Sequence, residues 1–302
     1  MSGGGRDLVG YGLTPPRVRW PNGAAVAVSL VVNFEEGAEH AIESGDARGE
    51  RIGEVLSVVA DGVRDLGQEQ LFAYGMRAGL PRFLQAFEAF KVKATFFMCG
   101  RAIERVPALA RAVTAAGHEA ACHGWRWRPH ADYADEAAER ADLVRCIATT
   151  RAVTGAPPLG FFCRGSESVR TRALLRELGF FYTSNAFDDD LPYWDRADPA
   201  HSLLVMPYAL DSNDMKFTHP NNFATAREWL EYVQNALEVL IGEGQAGTPK
   251  LLNVGLHLRI GGRPARFWGV LRLLEHLRDL GDRVWVARRI DIARHWAAQF
   301  PP

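Results

Sequence analysis

Near-continuous runs of apolar and β-branched residues recur along the chain, each closed by a polar or small residue. The first, residues 24–34 (AAVAVSLVVNF), reads as a strand buried on both faces. The same grammar predicts strands at 93–99, 117–122, 159–163, 179–183, 203–206, 250–256 and 283–287. Between them lie stretches of helical period at 80–90, 107–116, 135–150, 171–178, 224–241 and 267–280. Pro107 suits a first helical turn, and Gly117, Gly179 and Gly281 suit helix ends. Strands buried on both faces and alternating with helices imply parallel pairing and right-handed crossovers. Seven or eight such units make a closed or nearly closed barrel, or an open doubly wound sheet. No G-x-G-x-x-G opens the first helix, which counts against a dinucleotide fold. Residues 1–23 are rich in Gly and Pro and read as a wrapping arm, and residues 24–302 as one domain.

Polar residues gather just past the apolar runs: Glu35 and Glu36, His123, Arg164, Asn185 and His257. In a barrel of parallel strands these positions share the rim where active sites form. Glu35 and Glu36 are adjacent carboxyls, and two held close push one pKa toward the range of a general base. A lone histidine is more often structural than catalytic, but His123 is followed by Trp125 and Trp127, which suit the walls of a ligand pocket. His257 ends a strand whose Gly255 lets the backbone approach a ligand, and Arg259 and Arg263 follow in a Gly-rich loop. The other histidines, at 40, 118, 130, 201, 219, 276 and 295, lack such settings and read as structural or surface residues. Asp188–Asp190 is a linear acidic run without a calcium-loop pattern. Gly165-Ser166-Glu167-Ser168 is not a nucleophile elbow. Cys122 and Cys163 sit in apolar strands and read as inert thiols.

Composition narrows the partners. The 302 residues carry 35 basic and 36 acidic side chains, so no basic excess recruits nucleic acid or an anionic membrane. No apolar run is long enough to span a bilayer, and the first ten residues lack the apolar core of a secretory signal. Four cysteines without a C-x-x-C pair suit a cytoplasmic protein with reduced thiols.

In chain order, NFEEG, HGWRW, an arginine loop at a strand end, SNAFDDDLPYW, MPYALDSNDMKF and GLHLRIGGRPAR resemble the polysaccharide deacetylase superfamily, and within it the allantoinase and cyclic imide hydrolase branch. The resemblance runs from about Gly10 to Trp296 and implies a distorted (β/α) barrel of about seven parallel strands. It departs from the zinc-dependent deacetylases. Their motif carries a base Asp and then a metal Asp, where this chain has Glu35 and Glu36. Their second metal histidine falls on Trp127, and His130 lies three residues too late to replace it. Glu36 and His123 are the only donors left for a fallback zinc site, which is disfavoured because zinc wants at least three protein ligands. No cofactor is therefore expected. The allantoinase loop Gly-Arg-Thr/Cys is here Cys163-Arg164-Gly165, which shifts the arginine by one residue and points to a related cyclic amide or imide.

The resemblance implies a cytoplasmic, homo-oligomeric hydrolase that opens the C–N bond of a cyclic amide, imide or ureide. In this reading Glu35 activates water and His257 protonates the departing nitrogen. Glu36, His123, Trp125, Trp127, Arg164, Asn185, Arg259 and Arg263 bind substrate. The competing readings are a polysaccharide or peptidoglycan N-deacetylase, which predicts export and an intact metal triad, and a non-catalytic small-molecule-binding barrel.

Overall fold

The computed structural model describes residues 6–198, 202–218 and 222–302. The strands are β1 (Val26–Phe34), β2 (Thr95–Met98), β3 (Glu119–Cys122), β4 (Gly160–Phe161), β5 (Tyr182–Thr183), β6 (Tyr193–Asp195), β7 (Leu203–Val205), β8 (Lys250–His257) and β9 (Val284–Val286). The helices are α1 (Leu66–Tyr74), α2 (Leu80–Ala89), α3 (Gly100–Arg105), α4 (Pro107–Ala115), α5 (Glu136–Thr154), α6 (Thr171–Glu177), α7 (Ala226–Gln245), α8 (Pro264–Leu280) and α9 (Arg289–Gln299). The sheet runs β6-β7-β5-β4-β3-β2-β1-β8, with β9 beside the first half of the edge of β1 that β2 continues. Every pairing is parallel except β6 with β7. No ladder joins the end strands among the described residues, and a single bond from the Leu251 N–H to the Asp190 carbonyl crosses the gap. The fold is the expected distorted barrel, with eight parallel strands and one antiparallel edge rather than about seven.

All eight strands expected from the apolar runs are present. β6, α1 and α9 lie outside those stretches, as does the short α3 directly after β2. Tyr193-Trp194-Asp195 is half-buried and mixed in polarity, so it lacks the apolar run of its neighbours. In α1 the buried positions are Gln68 and Phe72, and a polar residue on the inner face removes the amphipathic signal.

Strand periodicity sorts the core into two layers. Val26, Val28, Leu30, Val32 and Phe34 of β1 point outward and pack with Phe83 and Phe87 of α2, Trp229 and Val233 of α7, and Leu273 and Leu274 of α8. Ala27 and Val31 point inward and meet Phe97, Ala121, Tyr182, Leu204 and Leu251. The barrel floor is closed by Val18 and Trp20 of the N-terminal arm, with Ile290 and Trp296 of α9. The Trp20 indole N–H donates to the Lys250 carbonyl at 3.0 Å.

Arg289 is fully buried inside the barrel. Its guanidinium donates to Ser184 Oγ, Asn253 Oδ1 and the carbonyls of Met206 and Pro207, tying β5, β7 and β8 to α9. Removing it leaves those acceptors short of a donor in a buried interior. Arg289→Met is expected to lower unfolding free energy by about 3 kcal/mol or more, measured by urea denaturation. A loss below about 1 kcal/mol would show that the cluster reorganises or hydrates freely.

Candidate active site

The inward parity of each strand carries past its end and selects the site. On β1 the inward series 27, 29, 31, 33 leads to Glu35, and on β8 the series 251, 253, 255 leads to His257. Asn33 and His257 are cross-strand partners in register. On β3 the inward Ala121 is followed two residues on by His123, and after β4 the inward Phe162 by Arg164. Gly124, at φ 75°, turns the chain directly after His123. Glu36, one residue beyond Glu35, falls on the outer face. A Cβ on Gly75 would collide with its Oε1, so that glycine makes room for it.

Glu35 is fully buried and holds the site together. Its Oε1 accepts a short hydrogen bond from the Arg259 guanidinium and lies 3.7 Å from His257 Nε2, and its Oε2 lies 3.2 Å from His123 Nε2. Burial alone would raise the Glu35 carboxyl. Arg259, then His257 and His123, outweigh that and hold it well below the usual carboxylate range. Arg259 is itself clamped, with its guanidinium carbon 4.3 Å from the Phe72 ring centre and 4.8 Å from that of Trp127. Glu36 behaves oppositely. Burial, reinforced by Glu35 and opposed by Arg259, pushes its carboxyl up to about 7. Its oxygens accept from the backbone N–H groups of Arg259 and Glu35.

His257 is oriented by Asp214, a buried residue in the short 3-10 turn Asp214–Thr218. The Nδ1–H of His257 donates to Asp214 Oδ1 at 2.7 Å. Asp214 Oδ2 accepts from the backbone N–H groups of His257 and Gly261 at 2.8 and 2.9 Å. Burial alone would lower the His257 pKa, but Glu35 and Asp214 raise it. The imidazole Nε2 faces the cavity, 3.2 Å from the Asn33 amide nitrogen, and a turn of that amide brings its otherwise unpartnered oxygen to accept from a protonated Nε2. His123 Nδ1 donates to the Phe162 carbonyl at 2.5 Å, and its ring stacks on Phe162.

These groups line a cavity of about 310 Å³, together with Trp127, Phe162, Arg164, Phe187, Leu210, Asn213, Met215 and Lys216. Of the residues expected from sequence, Glu35, His123, His257, Trp127 and Arg164 meet here. Arg259 lies behind Glu35 and binds it rather than lining the cavity.

Trp125, Asn185 and Arg263 are not among the lining residues. The Trp125 indole packs on Gly100 and under the Arg145 guanidinium. The Asn185 side chain pairs with both backbone groups of Cys163. Arg263 stacks on Tyr74 with 3.7 Å between guanidinium carbon and ring centre. Gly255 makes room for the Tyr208 hydroxyl and Asn213 rather than for a ligand. Asp214 carried no apolar-run signal. Its only trace was the Asn213-Asp214-Met215 segment, which lies 43 residues from the histidine it orients.

His130, in the 3-10 turn His130–Asp132, is buried against α5, with Nδ1 3.2 Å from Glu139 Oε1 and Nε2 3.6 Å from Asp142 Oδ1. All four cysteines are buried, and burial raises the thiol pKa of Cys99, Cys122 and Cys163. His201 and His219 lie outside the described residues.

A polysaccharide deacetylase family model matches residues 70–183. A Schizosaccharomyces pombe protein, named as a candidate polysaccharide deacetylase, is 35% identical over 319 residues, covering 98% of each chain. The chain belongs to the polysaccharide deacetylase family. Its fold is similar to that of a probable polysaccharide deacetylase from Pseudomonas aeruginosa PAO1, at 42% identity and a TM-score of 0.94 over 98% of this chain and 99% of that one. It is equally similar to PuuE allantoinase, at 42% identity and a TM-score of 0.93 over 98% of each chain. Both relationships concern hydrolases of C–N bonds.

These residues do not suit the zinc that the deacetylase motif implies. Glu36 faces Gly75 on the outer side of the strand. Both His123 ring nitrogens face protein oxygens, and Trp127 offers no lone pair. Among the described residues no three His, Cys, Asp or Glu side chains converge on a metal position. The donor set therefore does not fit zinc, and the fallback pair of Glu36 and His123 points to opposite faces. Elemental analysis of purified protein is expected to show well under one zinc per chain, and zinc titration by calorimetry to show no stoichiometric site. One tightly held zinc per chain, removed only by chelator, would contradict this.

Proposed function

We propose that this family member opens the C–N bond of a cyclic amide, imide or ureide by general acid–base hydrolysis in the cytoplasm. The observation that carries the reading is the clamp on Glu35. A guanidinium takes one carboxylate oxygen and an imidazole faces the other, which leaves a permanently ionised but weakly basic group at the cavity floor. A weak base suffices only where the carbonyl is already electrophilic, as in an imide or ureide whose nitrogen leaves as a stabilised amide or urea. An unactivated N-acetyl group would need stronger polarisation of its carbonyl. A pocket of about 310 Å³ suits a small ring better than a polymer chain. The likeness to PuuE allantoinase over the whole chain supports the same class of substrate. No helix among the described residues is long and apolar enough to cross a membrane, and the four buried, unpaired cysteines suit a reducing compartment.

In this mechanism Glu35 takes a proton from the attacking water. The imidazolium of His257, held by Asp214, gives its Nε2 proton to the departing nitrogen. His123, fixed through Nδ1, and the Asn33 amide orient the carbonyl and stabilise the oxyanion. Trp127 and Phe162 form the flat walls that hold the ring.

Ring opening should be followed on a panel of five- and six-membered imides and ureides. Glu35→Gln and His257→Ala are each expected to lower kcat by roughly 10²-fold or more, with the double variant little worse than the worse single. The raised His257 pKa fixes the sign of the pH dependence. With the imidazolium as acid, kcat/KM falls as pH rises through a value above the ordinary 6.5. Because Glu35 is ionised far below neutrality, no carboxylate limb appears between pH 5 and 6. A profile that rises with pH across neutrality would make neutral His257 the base. Release of acetate from N-acetylated oligosaccharides, with no ring opened, would favour the deacetylase reading.

A further inference from the structure

Among the described residues, most charged groups around the cavity face an opposite charge. Glu35 is neutralised by Arg259 behind it. Arg164 lines the rim, but its guanidinium is paired with both oxygens of Glu50, at 2.6 and 3.2 Å, and lies 3.7 Å from the Trp127 ring centre. Lys216 also lines the cavity and is only half exposed, yet its ammonium has no hydrogen bond or ion pair among the described residues. The uncharged Leu210, Met215 and Phe187 line the same cavity. An anion that reaches this side of the cavity meets a cation that no carboxylate among the described residues already holds.

The backbone gives Lys216 a second significance. It stands two residues after Asp214 in the same 3-10 turn, Asp214–Thr218. One short segment therefore orients the acid His257 through Asp214 and places a cation on the cavity wall.

We propose that Lys216 is a specificity-determining residue, and that the preferred substrate is a cyclic amide, imide or ureide carrying a carboxylate arm. This rests on the ring-opening reading above and adds to it the charge of the substrate. The reacting carbonyl sits at Glu35 and His257 while the carboxylate reaches Lys216. A lysine suits this task because its flexible stem and three donors meet a point charge without demanding a fixed angle. A monoanion matches one cation left without a carboxylate partner among the described residues, whereas a phosphate would bring close to two charges to it.

The test compares hydantoin-5-acetate with its primary amide, which has the same ring and nearly the same size but no charge. Calorimetric Kd values are measured for wild type, Lys216→Gln and Lys216→Arg, and ring opening is followed separately. Wild type is expected to bind the acid about tenfold or more tightly than the amide, a ratio worth about 1.4 kcal/mol. Lys216→Gln should bring the ratio close to one, and Lys216→Arg should restore much of it. The preference should weaken as salt is raised. Equal affinity for acid and amide in wild type, no measurable binding of either, or a preference that survives in Lys216→Gln overturns the proposal. Binding with the Lys216-dependent preference, but no ring opened on any member of the panel, sustains the assignment of Lys216 and refutes the ring-opening reading instead.

Discussion

The buried ion pair of Glu35 and Arg259 is the constraint on which the site depends. A carboxylate with no exposure to solvent is stable as an ion only if its charge is met at once, and here it is met by a guanidinium held between Phe72 and Trp127. Breaking such a pair by removing one partner strands the other charge in a medium that solvates it poorly. The pair also joins distant parts of the chain, since Glu35 ends β1 and Arg259 follows β8, whose ladder with β1 runs from Val26–Lys250 to Asn33–His257. Trp127 arrives from the loop after β3. Strand register, the loop and the ion pair thus stabilise one another, and the cavity lies between them.

Strand parity then gives two adjacent carboxyls different characters. Glu35 faces inward to three nitrogenous partners and stays ionised. Glu36 faces outward toward the Gly75 turn and has its pKa pushed up to about 7. An Asp-to-Glu difference from the deacetylase motif is small on paper, but around this β1 end the chain has replaced a converging metal donor set with a network of organic cations. In the proposed reading, that network serves carbonyls that need little Lewis-acid assistance, as in a cyclic imide rather than an acetylated sugar.

Much of this was legible in sequence because buried parallel strands leave long apolar runs. Those runs located all eight parallel strands, and the polar residues directly after them located Glu35, His123, Arg164 and His257. What escaped notice has no periodic signature. The β6 segment is mixed in polarity, and α1 buries a glutamine. Asp214 lies in an irregular segment, and only the fold brings it to His257. Arg259 was expected to touch substrate, but its sequence neighbours do not reveal that it reaches back to Glu35. Trp125, Asn185 and Arg263 were assigned to the pocket by proximity to the right strands. A single residue of parity, or one turn of loop, turns each of them toward protein instead. Adjacency to a strand end identifies the rim but not the direction of the side chain.

The central claim is that Arg259 holds Glu35 as a carboxylate throughout the working range of the enzyme. The direct measurement is a ¹³C NMR titration of the glutamate side-chain carboxyls, with Glu35 assigned by comparison with Glu35→Gln. The account predicts no titration step for Glu35 between pH 4 and 8, while Glu36 titrates near 7. A Glu35 carboxyl that takes up its proton between pH 4 and 7 in the intact protein would contradict it.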